Sequence, residues 1–184
     1  MDAAELEFRG IYDAFHTRIF RYLSRLVGDQ EAEDLCQEVF LKVAQGFNGF
    51  RGEAQLSTWI YRIATNTAID KMRTPAFRQD GLTEDLDEEW LESSCAVGHA
   101  LDSVALPDQE VMRKEMYDCF GNFVKELPVT YRTVFILSEL EEMPNQEIAE
   151  ILGLSLDVVK VRLHRGRALL FSALKAYCKP EDWL

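Results

Sequence analysis

The sequence predicts an all-α chain: two small helical domains joined by an acidic flexible linker. Three observations carry that expectation. Apolar residues recur three and four positions apart over most of the 184 residues. That spacing gives a helix one buried face, and no segment alternates apolar and polar residues as a half-buried strand would. The charge is spread unevenly along the chain. The stretch from Met143 to Leu170, MPNQEIAEILGLSLDVVKVRLHRGRALL, reads as two helices joined by a tight turn, the second of them basic.

The first helix takes its apolar stripe from Ile11, Phe15, Ile19, Leu23 and Leu26 and closes at Gly28-Asp29. Asp29 is placed to cap the next helix, since a carboxylate there accepts amide protons that the first turn leaves free. That helix, QEAEDLCQEVFLKVAQG, is expected to end at Gly46, because glycine tolerates the left-handed conformation after a helix. On it Leu35, Val39 and Val43 face inward, while Asp34, Gln37, Glu38 and Leu41 share an outward face. The mix of polar and apolar groups there suits a protein partner, although charge alone also fits a solvated face. A loop, FNGFRGEAQL, follows. Ser57 is the expected cap of STWIYRIATNTAIDKMR, which must stop near Thr74 because Pro75 disfavours helical backbone before it.

Residues 74–107 change character. PAFRQDGLTEDLDEEWLESS carries seven carboxylates between Asp80 and Glu92 and no clear apolar stripe. Such composition predicts a linker, with a short helical patch at most around Leu86 and Trp90. Helical spacing resumes at Asp108 with Val111, Met116, Phe120, Phe123 and Leu127. Pro128 is placed to open another helix through Tyr131, Val134, Phe135, Leu137 and Leu140. Asn145 then caps a short helix that buries Ile148, Ile151 and Leu152; Gly153 allows the turn, and Ser155 caps the last helix. There Leu156, Val159, Leu163 and Leu170 share a face with Gly166, where a neighbouring helix can come close. The expected boundaries are a domain over 1–74, a linker over 75–107, a domain over 108–179 and a tail over 180–184.

Several function classes fall away. No run approaches the roughly 18 apolar residues of a membrane span, and MDAAELEFRG lacks the basic-then-apolar order of a signal peptide, so a cytoplasmic protein without membrane insertion is expected. Cys36, Cys95, Cys119 and Cys178 are widely spaced; Cys95 and His99 lack the second pair that a zinc site requires. No metal or cofactor is expected. No glycine-rich phosphate loop and no nucleophile with a paired base is visible, which argues against an enzyme.

The net charge of −12 is a poor guide to partners, because it divides as −2 over residues 1–73, −9 over 74–110 and −1 over 111–184. Electrostatics act over a Debye length of about 10 Å, so a segregated acidic linker need not cancel a basic face elsewhere. From Lys160 to Lys179 there are six basic residues and no acidic one. Lys160, Arg162, His164, Arg165 and Arg167 lie opposite the apolar stripe, which supplies cations for phosphates and long side chains for base edges. A basic amphipathic helix alone would have part of this pattern. The short helix, the Leu-Gly-Leu turn and the basic second helix together point to a DNA-reading hairpin.

That hairpin resembles the fourth conserved region of extracytoplasmic-function sigma factors, the small two-domain group of the sigma-70 family. Relative to the common family form, Glu142-Met143-Pro144-Asn145 stands in place of a glycine-containing turn. Asp157-Val158 replaces Gly-Thr, and Val161 replaces a frequent serine, removing a hydroxyl from the DNA side. The N-terminal half resembles the family's second conserved region through Ala32-Glu33-Asp34, Gln37-Glu38, Phe40-Leu41-Lys42, Phe50-Arg51, Ser57-Thr58-Trp59 and Arg62-Ile63-Ala64 with Asn66.

The resemblance implies a fold of sigma region 2 and sigma region 4 and a function as an alternative sigma factor. Such a protein binds core RNA polymerase through its clamp and flap regions, directs it to promoter DNA and promotes melting. By resemblance, Asp34, Gln37, Glu38 and Leu41 bind the polymerase clamp. Phe50, Arg51, Arg62, Asn66, Asp70, Lys71 and Arg73 meet the −10 element, the loop at Phe50 holding a flipped base. Ser155, Val158, Lys160, Val161, Arg162, His164, Arg165 and Arg167 meet the −35 element. Trp59 can stack on bases, but Ile60, Ile63 and Ala64 beside it favour the core. The acidic linker either threads toward the polymerase's nucleic-acid channel or serves as a solvated spacer. An anti-sigma partner is the family's common form of control. The alternatives are a stand-alone helix-turn-helix regulator, for which no dimerisation helix is evident, and a polymerase-binding adaptor without initiation activity.

Overall fold

The structure, a computed structural model, describes residues 3–47, 49–50, 52, 54–74, 77 and 120–177. The acidic segment with Leu86 and Trp90, the pair Cys95 and His99, Arg51 and the tail lie outside the described residues. Among the described residues every regular element is helical.

Three helices form the first unit: α1 (Ala3–Val27), α2 (Asp29–Phe47) and α3 (Leu56–Met72). Ile19, Leu23 and Leu26 of α1, Leu35, Val39 and Val43 of α2, and Ile60, Ala64 and Ala68 of α3 meet in a closed core. Three expected helix boundaries shift by a residue or more. Gly28, at φ 93°, supplies the carbonyl that accepts from the Ala32 amide, so Asp29 is the first residue of α2 rather than its cap. There its carboxylate still favours the positive end of the helix. Likewise α3 begins at Leu56 after Gln55, which makes no side-chain cap bond, and Ser57 lies inside the first turn. Gly46 does not end α2, which continues to Phe47. Its smallness serves packing instead, since a Cβ there would sit 3.0 Å from the Trp59 ring.

The second unit begins within a helix, α4, described over 120–126, and continues through Pro128 into α5 (Val129–Phe135). The Pro128 carbonyl accepts from the Tyr131 and Arg132 amides, as expected of a helix start. Past Phe135 the rod widens into a π-helical turn, Ile136–Leu140, closed by the Glu141 amide donating to the Ile136 carbonyl at 3.0 Å. Glu142 then adopts φ 55°, the left-handed region where the resembling family places a glycine. Helix α6 (Asn145–Leu152) is capped by Pro144, not by Asn145, which is its first residue. Gly153 turns the chain at φ 64°, and Ser155 Oγ accepts from the Val158 amide at 3.3 Å to cap α7 (Leu156–Tyr177). Val159, Leu163 and Leu170 are buried, and at Gly166 helix α7 runs so close to α5 that a Cβ would meet Tyr131 at 3.4 Å.

Nothing in the sequence announces that the two units pack against each other. Helix α3 lies on α6, and the buried apolar residues of the two units form one continuous core to which several polar contacts are added. Glu141 accepts from Arg25 Nη1 at 2.8 Å and from the Tyr61 hydroxyl at 2.5 Å, with only 7% of its side chain exposed. Burial raises the Tyr61 phenol, and its bond to Glu141 raises it further. Thr58 makes a longer contact, 3.4 Å, to Glu147. Arg132, fully enclosed, donates through Nη1 to the Leu26 carbonyl at 2.8 Å and through Nε and Nη2 to the Leu127 carbonyl. Burial lowers its pKa to about 10, so it stays charged at neutral pH. The last turn of α1 offers the negative end of a helix dipole to that charge.

Candidate nucleic-acid interface

The second unit builds its interface from the α6–α7 hairpin. Gly153 sets the turn, Ser155 fixes the first turn of α7, and the buried stripe on α5 and α6 fixes which side of α7 faces out. Lys160, Val161, His164 and Arg167 are exposed, while Arg162 and Arg165 are half-buried along the edges of that face. Val158 and Val161 are exposed by 38% and 47%, which is notable for β-branched apolar side chains on a surface helix. Arg167 is engaged by Glu139 at 2.6 Å, and Lys160 lies 4.0 Å from Asp157. Ser155 spends its hydroxyl on the helix cap.

The first unit presents α3 and the loop before it. Asn66, Asp70 and Arg73 are exposed, with Arg73 and Asp70 3.9 Å apart. Arg62 is half-buried and its Nε has no partner in the structure. Lys71 is held by Glu31 of α2 at 2.6 Å, a hydrogen bond that raises its pKa. Phe50 is half-buried with its ring 5.1 Å from that of Trp59. Trp59 therefore packs between this loop and Gly46, which favours the core side of the two readings. Arg62, Asn66 and Asp70 rise from α3 on sides not taken by the core, whereas Thr58, Tyr61 and Thr65 turn inward. On α2, Asp34, Gln37, Glu38 and Leu41 are all exposed, Leu41 by 63%, and Glu38 pairs with Lys42 at 2.8 Å.

Residues 11–77 match the description Sigma-70 region 2, and residues 117–170 match Sigma-70, region 4. The chain is 32% identical over 169 residues to the ECF RNA polymerase sigma factor SigW of Bacillus subtilis (strain 168), covering 91% of this chain and 89% of that protein. The chain belongs to the ECF sigma factors of the sigma-70 family. A second family member, the RNA polymerase sigma-H factor of Pseudomonas aeruginosa, is 30% identical over 91% of this chain and 89% of its own length. The fold is shared with the sigma factor RpoE of Bartonella quintana, solved with the anti-sigma factor NepR, at a TM-score of 0.65, 20% identity and coverage of 92% and 97%. It is also shared with CnrH, solved with the cytosolic domain of CnrY, at a TM-score of 0.64, 19% identity and coverage of 94% and 90%.

Within this ECF sigma factor the predicted −35 residues gather on one hairpin, and the described −10 residues gather on α3 and its loop. Two features escaped the sequence reading. The seam at Glu141 joins residues 116 positions apart and has no local signature. Asp157, whose first-turn carboxylate suits the helix dipole, also has its side chain 93% exposed on the outward side of α7. Among the described residues no helix is long and apolar enough to cross a membrane.

Proposed function

We propose that this ECF sigma factor binds core RNA polymerase, carries it to promoters and promotes melting at the −10 element. The observation that carries the reading is the presence, on one chain and in family order, of two separate reading surfaces: α7 with its outward basic residues, and α3 with exposed Asn66 and Asp70. In this reading α7 enters the major groove of the −35 element and the residues of α3 hold unpaired −10 bases. Melting then results from tighter binding to the open strand than to the duplex, a population shift rather than a catalysed step. The exposed row Asp34, Gln37, Glu38 and Leu41 on α2 docks on the polymerase clamp, where Leu41 supplies the apolar contact. The chain itself performs no chemistry and works in the cytoplasm. An anti-sigma protein restrains it, a reading supported by the two fold neighbours, each solved with such a partner or a partner's cytosolic domain.

Run-off transcription with purified bacterial core polymerase on a library of promoter fragments tests this. Specific transcripts starting downstream of two shared, spaced motifs, seen only with the chain present, are the expected result. Tight binding of the free chain to one duplex site without polymerase would instead favour a stand-alone regulator.

A further inference from the structure

Most of the basic residues of α7 flank the middle of its outward face rather than occupy it. At about 100° per residue, Val161 stands roughly opposite the buried side formed by Val159, Leu163, Gly166 and Leu170. Asp157, one turn before it, stands about 40° to one side of that line, and the half-buried Arg165, one turn after it, about 40° to the other. Lys160, His164 and Arg167 run along one flank, and Arg162 along the other. A helix lying in a major groove has phosphates on both sides and base edges in front, and its N-terminal turns meet the bases. The rails of α7 are therefore cationic, and the N-terminal part of its reading edge holds a carboxylate and exposed valines, with Arg165 a turn further on.

We propose, resting on the assignment of α7 to the −35 element, that Asp157 and Val161 are specificity-determining residues. Asp157 accepts a hydrogen bond from a cytosine N4 amino group, and Val161, flanked by Val158, packs on a thymine methyl. The chemistry is restrictive. A carboxylate between two phosphate rails is repelled unless a base donor faces it, and in the major groove cytosine presents such a donor to acidic side chains. The Asp157 carboxylate is free to do so, since its side chain is 93% exposed and its nearest cation, Lys160, is 4.0 Å away. An exposed valine offers no hydrogen bond, so thymine's methyl is the groove feature it can recognise. Residues 157 and 161 are separated by about 6 Å of helix rise, which places their two bases roughly two base pairs apart. All three departures from the family form in this helix, Asp157, Val158 and Val161, fall on this edge, so its preference is this chain's own.

The test uses holoenzyme assembled from the full chain and bacterial core polymerase. Bound fragments are selected from promoters randomised across the −35 segment, and each enriched thymine is then replaced by deoxyuridine. The wild-type protein is expected to enrich a cytosine and a thymine within a few base pairs and to lose about fourfold in binding when one thymine methyl is removed, the effect of burying one such group. V161A is expected to shrink that penalty, because alanine leaves less apolar surface against the methyl. D157N is expected to move the preference there from cytosine toward adenine, because an amide pairs with adenine N6 and N7. Thermal melting of both variants confirms that these exposed positions leave the fold intact.

Deoxyuridine without effect at every thymine, an equal penalty in V161A, or an unchanged preference in D157N overturns the proposal while leaving a sigma factor that initiates from its promoters. Failure of the wild-type chain to bind polymerase or yield specific transcripts overturns the assignment beneath it, and the proposal with it.

Discussion

Glu141 holds the two units together in a way that can be measured. Its carboxylate takes hydrogen bonds from Arg25 of α1 and Tyr61 of α3, and its side chain is almost fully enclosed. In E141A the Tyr61 hydroxyl loses its acceptor within the seam. A hydrogen bond to a charged group contributes about 1.5–3 kcal/mol. The Arg25 pair adds only about 0–1 kcal/mol, because Arg25 is 38% exposed and water can replace its partner. Relief of the carboxylate's own desolvation offsets the upper end of the sum. A net weakening of about 2–3 kcal/mol shifts the ratio of packed to separated units by roughly 30- to 150-fold.

The shift bears on function because the −35 and −10 elements lie about 25 base pairs apart by name, or about 85 Å at about 3.4 Å per step. A compact chain of 184 residues has a radius of gyration of about 16 Å, so its packed form cannot reach both elements. Small-angle scattering on the free full chain should show a larger radius for E141A than for wild type. E141Q should give a smaller change, since its amide oxygen still accepts from Tyr61. Identical scattering profiles for all three proteins would refute the argument that this contact governs the packing.

Three further outcomes are expected. E142G should raise the melting temperature by an amount equivalent to about 1 kcal/mol, because Glu142 holds φ 55° and glycine adopts the left-handed region without steric cost; differential scanning calorimetry reads it. E139A should release Arg167 from its 2.6 Å pair, steepening the salt dependence of holoenzyme binding to a −35 duplex by about 0.9 in log–log slope, as read by fluorescence anisotropy. Burial pushes the Cys36 thiol up to about 11, so the unfolded chain releases this proton first as pH rises. Its contribution to stability is complete below the ordinary thiol range and declines toward pH 11. The decline is at most about 1.4 kcal/mol per pH unit, and C36A should flatten it in urea titrations between pH 8 and 10.

Much of this architecture was legible because it is local. The stripes of α1, α2 and α7 follow helical spacing, and Gly153 and Ser155 announced a turn and a cap that the structure contains. Caps were less legible where the backbone alone closes the helix. Gln55 and Pro144 cap without side-chain bonds, so Ser57 and Asn145 drew attention to positions just inside the helices. Gly46 looked like a terminator, yet its reason is the Trp59 ring across the core, a tertiary fact. The seam was illegible for a similar reason. Tyr61 and Thr58 are polar groups buried on α3, and the arrival of Glu141 and of Glu147 on α6 supplies their partners, whereas Thr65 is met by Tyr22 within the first unit. The candidate DNA residues fell between these cases. Periodicity put Lys160 through Arg167 on one face, but which of them line its edges and which its middle depends on how α7 is rolled against α5.

The π-helical turn at Ile136–Leu140 gives the second unit a dependence on residue count that composition does not reveal. A π turn holds one residue more than the α-helix it interrupts. Before it, Tyr131 and Phe135 are in phase with α7; after it, Glu141 is in phase with Arg25 and Tyr61. Were these same residues wound as a regular α-helix, without the wider turn that absorbs the extra one, everything beyond would be rotated by about 100°. Hydrophobicity and net charge would not change, but Glu141 would point away from its partners and the hairpin carrying α7 would be re-aimed. Alignment of the reading helix with the rest of the chain thus rests on a single surplus residue, much as a gear's timing rests on one tooth.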